Sequence, residues 1–242
     1  MAFRKIDLHV HTPKSVCFSD SSVTPEQIVD AAIAAGLEAI AVTDHNSAEA
    51  TDEIRRAADG KGLVIFPGIE LSTVGGHILA LFSPDASLAE LRDFLNYVGL
   101  DQQQWGDSIH MTSGDTEDVL KRIVERGGLA IAAHIERWPS GFLETQQLRA
   151  VKMAIYDSDY LSALEITIPR NKPRWNAGAV RGYPRKRACT QGSDAHALSE
   201  IGRRPVYVRM ESIGLDTLRR AINDYGAAIR FPEELECVKK SS

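Results

Sequence analysis

Histidines and carboxylates follow the apolar segments of this chain at spacings that suit metal ligation. The H-x-H pair His9 and His11 comes directly after FRKIDL. Because side chains two residues apart on a strand point to the same side, both imidazoles of this pair can face one ion. The same argument applies to Asp194 and His196. The predicted ligands are His9, His11, His45, Glu70, His77, His134, Asp194 and His196, whereas His110 is excluded.

A mixed set of imidazoles and carboxylates is typical of zinc, manganese or iron sites, since carboxylates add charge and can bridge ions. Two ions about 3.5–4 Å apart can activate a water molecule as a hydroxide. The sequence has neither a GxxxxGK[ST] phosphate loop nor a GxSxG nucleophile motif, so hydrolysis by a metal-activated hydroxide is the predicted chemistry. His196 or His45, when not bound to metal, could protonate the leaving oxygen.

Apolar runs of strand length alternate with segments of helical period, which predicts a parallel sheet wrapped by helices. Helix starts are predicted at Thr24 and Ser87 by capping boxes and at Asp115 by a side-chain cap. Residues 99–114 are expected to form a loop. In barrels of this kind the carboxyl ends of the strands converge on one mouth, so the ligands should meet there. The predicted strands are 3–8, 38–43, 63–67, 77–82, 129–133, 162–167, 187–191 and 204–209.

The composition favours one domain in a reducing compartment. With 242 residues, 43% of them hydrophobic, the chain can bury a large core, and we expect a single domain over 1–232 followed by a polar tail at 233–242. The net charge of −5 restricts any polyanion binding to a local patch. The three widely spaced cysteines form no CxxC pair, and no apolar leader or long apolar run is present. These features predict a cytoplasmic protein without a membrane segment.

Several short motifs occur in an order typical of one family. They are DLHVHTP at 7–13, TDHN at 43–46, PGIELST at 67–73, GHILAL at 76–81, AAHIER at 132–137 and GSDAH at 192–196. On these motifs the chain resembles the PHP (polymerase and histidinol phosphatase) metal-dependent phosphoesterases over roughly residues 4–210. A later segment, IGRRPVYVRMES followed by LDTLRRAI, is similar to PHP domains fused to or encoded beside ATPases of the SMC or AAA type.

The resemblance implies an α/β fold, a distorted (β/α)7 barrel, with two or three divalent ions of manganese, zinc or iron at the carboxyl ends of the strands. Glu70 would bridge the first two ions. The first ion would then be bound by His9, His11, Glu70 and Asp194, and the second by Glu70, His77 and His134.

A third ion would be bound by His45 and His196 together with one ligand from the loop after the H-x-H pair. Members of the family often place Asp or His in that loop, which here reads TPKSVCFSD, so the alternatives are Cys17 and Asp20. Asp44 is expected to orient a ligand rather than to bind metal itself.

Cations near the predicted mouth are candidates for binding the phosphate of the substrate. A guanidinium can hold phosphate by two parallel hydrogen bonds, although a solvated surface arginine is the alternative for each of them. The segment 170–187 is basic and contains Trp175 and Tyr183. It could form a groove that binds nucleic acid. The alternative, which charge patterning favours, is a solvated helix and loop in which Trp175 covers the barrel. The candidate arginines are Arg137, Arg170, Arg203 and Arg204.

The sequence thus predicts a metal-dependent phosphoric ester hydrolase, a phosphatase or nuclease, in which Glu70, His45 and His196 are the catalytic groups. Its substrate would be a phosphomonoester, a nucleotide or a nucleic-acid end. One alternative is a PHP module that binds a nucleotide or a partner ATPase without turnover. The other is an amidohydrolase-like enzyme that cleaves C–N bonds, since such barrels also use H-x-H, a later His and an Asp. The arginines and the position of Glu70 favour the phosphoesterase.

Overall fold

The first strand positions the first ligand pair. The structure is a computed structural model that describes residues 2–235, and in it β1 (Ala2–Val10) becomes buried over its last five residues. Two neighbours enclose this strand: β2 (Ala39–Val42) pairs with it in parallel and β8 (Val206–Met210) pairs with it antiparallel. Burial at its carboxyl end explains why the imidazoles that follow the apolar residues lie inside the barrel.

Within the described residues, nine strands form one sheet in the order β7-β6-β5-β4-β3-β2-β1-β8-β9. Past β7, Ala195 pairs with Val10 as a parallel bridge, and the amide of Asp194 donates to the carbonyl oxygen of His9 at 2.8 Å. These contacts join the end of β1 to the segment that follows β7, and they nearly close the sheet into a barrel. The predicted α/β barrel fold is thereby confirmed. The other strands are β3 (Val64–Thr73), β4 (Gly76–Leu81), β5 (Leu129–Ala132), β6 (Ala163–Glu165), β7 (Ala188–Thr190) and β9 (Ile229–Arg230).

The connection between β3 and β4 departs from the predicted alternation of strands and helices. The two strands form a hairpin in which Thr73 pairs with Gly76, and β4 runs antiparallel to both β3 and β5. The expectation that every ligand follows the carboxyl end of a strand is therefore wrong for His77, which lies at the start of β4. Glu70 likewise lies inside β3, because pairing with β4 extends that strand beyond its predicted end.

The helices begin where the capping residues predict. The side chain of Thr24 accepts from the amide of Gln27 while the side chain of Gln27 accepts from the amide of Thr24, and Ser87 and Glu90 repeat this reciprocal pattern. The Asp115 side chain caps its helix. The helices are α1 (Pro25–Ala34), α2 (Thr51–Ala58), α3 (Leu88–Tyr97), α4 (Thr116–Glu125), α5 (Arg149–Asp157), α6 (Lys172–Asn176), α7 (Leu215–Asn223) and α8 (Tyr225–Ala228).

Strand β2 shows how the core is divided. Its alternate residues enter two hydrophobic clusters: Ala39 and Ala41 belong to the larger one, whereas Ile40 and Val42 pack with the residues of α1 and α2. A strand buried on both faces is expected in a barrel covered by helices. None of the helices in residues 2–235 combines the length and apolar character needed to cross a bilayer.

Three further predictions concern one long connection, the polar tail and the domain organisation. Residues 99–114 are a loop as expected, apart from one 3-10 turn at Gln102–Gln104. The predicted polar tail lies, from residue 236 onward, outside the described residues. The single-domain organisation over 1–232 stays a prediction.

Candidate metal centre

All eight predicted ligands meet at one rim of the barrel, although they come from segments far apart in the chain. In each of three groups, the nitrogen and oxygen atoms that could bind a cation lie within 4.8 Å of one another. His134 joins them through Nε2, which lies 2.8 Å from Oε1 of Glu70. The groups are His9, His11, Glu70 and Asp194; His11, His45 and His196; and His45, Glu70 and His77.

Glu70 lies at the centre of this cluster, and its two carboxylate oxygens face different imidazoles. Oε2 is 3.4 Å from His9 Nε2, 3.2 Å from His11 Nε2 and 2.9 Å from His45 Nδ1. Oε1 is 2.9 Å from His77 Nδ1 and 2.8 Å from His134 Nε2. The carboxylate is fully buried. A group in this position can bridge two cations, as the family resemblance implies for Glu70.

Three atoms of the cluster are short of hydrogen bonds. Among the described residues, Glu70 Oε2, His45 Nδ1 and His134 Nδ1 are buried without a hydrogen-bond partner. Two of them, Glu70 Oε2 and His45 Nδ1, lie only 2.9 Å apart. A buried polar atom left without a partner costs about 1–3 kcal/mol. A cation coordinated by both atoms would remove that cost. The imidazole and carboxylate donors also suit zinc, manganese or iron, so the residues present fit the implied ions.

Glu165 belongs to the site although the sequence analysis did not select it. It ends β6, its Oε2 lies 3.0 Å from His9 Nδ1, and the same oxygen accepts from the amide of His134 at 2.8 Å. A carboxylate on the second ring nitrogen of a ligating histidine fixes its tautomer and orientation. The available signal was its place at the end of a predicted strand, but it lacks the neighbouring histidine that marks the other motifs.

The charges of this pair shift both pKa values. Burial alone would lower the pKa of His9, but the Glu165 and Glu70 carboxylates outweigh it and raise that pKa to about 10. Burial would likewise raise the pKa of Glu165, yet the charge of His9 and their hydrogen bond lower it to about 2. In the metal-free protein these two groups therefore form a buried ion pair near neutral pH.

Asp44 makes the contacts expected of an orienting residue. Its Oδ1 accepts from the amide of Thr12 at 2.8 Å and from the hydroxyl of Ser15 at 2.6 Å. The same hydroxyl lies 3.0 Å from Nδ1 of His11. Asp44 thus contacts His11, a predicted ligand, through Ser15 and is absent from the three groups of convergent atoms.

The backbone is strained at and beside predicted ligands. Among the described non-glycine residues, positive φ angles occur at Asn46 (47°), His134 (27°) and Asp194 (50°), all in or beside the cluster. Such conformations cost on the order of 1–3 kcal/mol each and concentrate at functional sites. Gly192 allows the close approach of the last segment, because a Cβ there would lie 2.5 Å from both Glu165 Oε1 and His9 Cβ.

The loop after the H-x-H pair contains Cys17 and Asp20, the two alternatives for the additional ligand of a third ion. Cys17 is exposed, and its thiol contributes to the raised pKa of His45. The carboxylate of Asp20 is also exposed, and it accepts from the amide and hydroxyl of Ser22 at 2.9 and 2.6 Å. Of the two alternatives, Cys17 is the one that the structure brings to the cluster.

The four candidate arginines differ in their surroundings. Arg137 contacts the carboxylate of Asp194 directly. Arg203 donates to the carbonyl of Ser193 at 3.1 Å, and Arg204 donates to the carbonyl of Ile166 at 2.7 Å, so both bind backbone near the mouth. Arg170 is exposed and lines a separate cavity beside Phe231. Only Arg137 among these four touches a predicted ligand.

The basic segment 170–187 follows the alternative that charge patterning favours. Trp175 is 3% exposed and covers the barrel, and Tyr183 is buried beside it with ring centroids 5.7 Å apart. Lys172 is also buried and donates to the carbonyl of Ile229 at 3.0 Å. A base cannot stack on either buried ring, so these aromatics do not form a nucleic-acid groove.

Comparison with known proteins agrees with this geometry. The sequence model of the PHP domain family matches residues 7–148. MJ1587 of Methanocaldococcus jannaschii is 29% identical over 137 residues, which cover 54% of this chain and 67% of that protein. The 5'-3' exoribonuclease Rnm of Salmonella typhimurium is 36% identical over 95 residues, which cover 37% of this chain and 31% of the enzyme.

A solved structure extends the likeness to nearly the whole chain. The lesion-specific endonuclease PfuEndoQ from Pyrococcus furiosus superposes with a TM-score of 0.71 at 20% identity, over 95% of this chain and 57% of that one. At this identity the superposition shows a shared fold. The chain spans less than two thirds of both the endonuclease and the exoribonuclease.

Proposed function

Because the chain belongs to the PHP domain family, we propose that it is a metal-dependent phosphoesterase that acts on a nucleotide or on the end of a nucleic-acid strand. The observation that carries this proposal is the position of Glu70. Its two oxygens face separate sets of imidazoles inside a barrel mouth, which is the arrangement that a bridged pair of cations requires.

The ligands divide between the two oxygens of Glu70. His9, His11 and Asp194 would share one ion with Oε2, and His77 and His134 would share a second with Oε1. A third would use His45 and His196, beside His11 and Cys17. Manganese, zinc and iron all suit these donors. When bound, such ions lower the pKa of a water molecule and offset the negative charge of a phosphoryl group.

The two imidazoles proposed as proton donors have different environments. Burial, together with the charge of His45, lowers the pKa of His196 to about 4 in the metal-free protein. The pKa of His45 is raised, because Glu70 and Cys17 outweigh the effect of burial. Near pH 7 His196 is therefore neutral and suited to bind a cation, and His45, when it is not bound to metal, is the better source of a proton.

Arg137 is the proposed phosphate-binding residue. Its guanidinium contacts the Asp194 carboxylate at the metal centre, and 38% of its side chain remains exposed. A guanidinium in this place can donate to a phosphoryl oxygen while staying beside the ligand. Arg203 and Arg204 instead support the segments around the mouth through their backbone contacts.

Nucleic acid is the favoured substrate class because the relatives named above include an exoribonuclease and a lesion-specific endonuclease. The net charge of −5 opposes general binding of polyanions, so the phosphate must be held locally, by the cations and Arg137. An association with an ATPase of the SMC or AAA type stays a prediction from the segment after Ile201.

The proposal is tested by hydrolysis of an aryl phosphate and of short oligonucleotides with Mn²⁺, Zn²⁺ or Fe²⁺, in wild type and in Glu70→Gln. We expect metal-dependent turnover that falls by at least about 100-fold in the variant, since losing a bridging ligand should exceed the 10–100-fold cost of losing a partner of a ligand. Circular dichroism would verify that the variant folds.

Three results would contradict the proposal. Turnover that is insensitive to both metal and Glu70→Gln would place the chemistry elsewhere. Stoichiometric metal binding with no turnover on any phosphoester would favour the binding module. Metal-dependent hydrolysis of amides or cyclic ureides with none of phosphoesters would favour the amidohydrolase-like alternative.

A further inference from the structure

Trp138 is the most exposed tryptophan in the described part of the chain. Its exposed fraction is 76%, whereas Trp175 is 3% exposed and Trp105 is partly buried against the core. Among the described residues its indole N–H has no hydrogen-bond partner, and its ring packs against no other aromatic ring. A large apolar ring kept in solvent contributes little to folding, and its face is accessible to a ligand.

The turn that carries Trp138 is attached to the metal centre at both ends. At its start, the amide of Arg137 donates to the carbonyl of His134 at 2.8 Å. At its end, the carbonyl of Ser140 accepts from the amide of His77 at 3.0 Å. Since His134 and His77 both contact Oε1 of Glu70, the indole is presented from a turn anchored on two ligands.

This turn is also closely packed, which makes it a fixed support. A Cβ at Gly141 would lie 2.5 Å from the carbonyl oxygen of His134 and 2.7 Å from that of Ile135, so the backbone passes itself at contact distance. The amide of His134 is bound by Glu165 at 2.8 Å. Movement of the turn would therefore disturb the ligands themselves.

Arg137, the residue before Trp138, supplies a positive charge, and this charge indicates which class of ligand would bind. Arg137 contacts Asp194 at the metal centre and stays 38% exposed. A cation that can bind phosphate and an exposed aromatic ring are thus consecutive residues, about 3.8 Å apart at Cα. A nucleotide presents a phosphate and a flat base in the same close succession, and bases stack on aromatic side chains without regard to sequence.

We propose that Trp138 stacks on a base of the substrate whose phosphate lies at the metal centre beside Arg137. This assignment rests on the proposed function and narrows it: the substrate contains a base, and its single-stranded or frayed end reaches the mouth. A base paired within a duplex cannot offer its face to the indole, so the ring selects for unpaired nucleotides.

The test measures binding separately from turnover. Metal-loaded protein would be titrated with a short single-stranded phosphorothioate oligonucleotide, and with an abasic sugar-phosphate oligomer of equal length, while tryptophan fluorescence is followed. We expect quenching by the first oligomer only. Trp138→Ala should weaken its binding about 5- to 150-fold, the range that corresponds to one stacked base, and leave abasic binding unchanged.

Two further variants serve as controls. Trp138→Phe keeps an aromatic face and should recover most of the affinity. Tyr97→Ala removes another half-exposed ring, which lies on α3 beside Arg122 and Arg126, and should change nothing. In turnover assays Trp138→Ala should raise KM for base-containing substrates with kcat preserved, the pattern of lost uniform binding.

The outcomes distinguish this inference from the proposed function. Quenching by the oligonucleotide without hydrolysis of any phosphoester would support stacking and refute the phosphoesterase. Metal-dependent hydrolysis with equal affinities of wild type and Trp138→Ala would refute stacking and leave the phosphoesterase standing.

Discussion

The two ends of the barrel each bury charged groups, and they do so in opposite ways. At the end opposite the mouth, Arg187 is 6% exposed and precedes β7. Its guanidinium donates to the carbonyls of Tyr156, Leu161 and Ser158. The distance is 3.0 Å from Nε to the oxygen of Tyr156 and 2.6 Å from Nη2 to the oxygen of Ser158. At the mouth, Glu70 Oε2 is buried without a hydrogen-bond partner among the described residues.

This difference separates a structural charge from a functional one. The protein itself supplies every partner of Arg187, so burial there joins the segment after α5 to the start of β7. At the mouth, Glu70 Oε2 and His45 Nδ1 face each other without completing a hydrogen bond, and a cation bound by both would supply the missing partner. The stability of the fold therefore depends on the end that holds Arg187, and the chemistry depends on the mouth.

The largest expected effect is a loss of stability at the end of the barrel that holds Arg187. Arg187→Met would leave the carbonyls of Tyr156, Ser158 and Leu161 buried without donors, so we expect a loss of about 3–5 kcal/mol in the free energy of unfolding. Urea denaturation measures it. Metal content per folded molecule should equal that of wild type; a coupled loss of metal would mean that the two ends are not independent.

Removal of metal is expected to lower the stability that the mouth of the barrel contributes. Chelation should lower the free energy of unfolding by about 2.7 kcal/mol relative to protein at a metal concentration 100 times Kd. The shift should vanish in Glu70→Gln and persist in Arg187→Met. Calorimetry with and without chelator provides the comparison, and an equal shift in Glu70→Gln would argue against Glu70 as the bridging ligand.

A smaller effect concerns the partner of His9. Glu165→Gln keeps the shape of the side chain but removes its charge, so metal affinity should fall about 10–100-fold. Competition with a chromophoric chelator measures this. Glu144→Gln, a change in the segment before α5, is the matched control and should leave affinity unchanged.

The same pair predicts a pH dependence in the metal-free protein. The pKa of His9 is raised from 6.5 to about 10, so its contribution to stability is complete below pH 6.5 and is lost as the pH rises toward 10. The pKa of Glu165 is lowered from 4.5 to about 2, so its contribution is complete above pH 4.5 and is lost as the pH falls toward 2. Metal-free wild type and Glu165→Gln should therefore differ most in stability between pH 4.5 and 6.5.

The smallest effect lies at neither end. Thr24→Ala removes the cap of α1 and should cost about 1 kcal/mol in the free energy of unfolding. Metal affinity and turnover should be unchanged, because α1 packs on the outside of β1 and β2. Thermal melts and metal titration of the same preparation would verify both statements, and a change in metal affinity would show that helix packing reaches the mouth.

The sequence correctly indicated the barrel and the family. The residues that it selected as ligands lie together at the mouth, and their role in binding metal stays a prediction. Short-range spacing carries this information, since H-x-H and D-x-H fix relative orientation within three residues. It did not indicate Glu165, whose contact with His9 joins residues 156 positions apart. It also missed the hairpin that puts His77 at a strand start, because a strand's direction depends on its neighbours.

The aromatic residues show the same limit. Trp175 and Tyr183 lie in a basic segment and Trp138 follows an arginine, so local composition alone does not rank them as partners for a base. Burial distinguishes them: Trp175 is 3% exposed and Trp138 is 76% exposed. Exposure depends on which distant segments cover a ring.

By itself, the amino-acid sequence determined the donor atoms available, the helix starts at Thr24, Ser87 and Asp115, and the alternation that specifies a barrel. Each of these depends on interactions among residues a few positions apart. Only the tertiary structure decided which charges lose water, which carboxylate supports which imidazole, and which tryptophan stays in solvent. Desolvation and long-range pairing arise when remote segments pack together, and no local pattern contains that information.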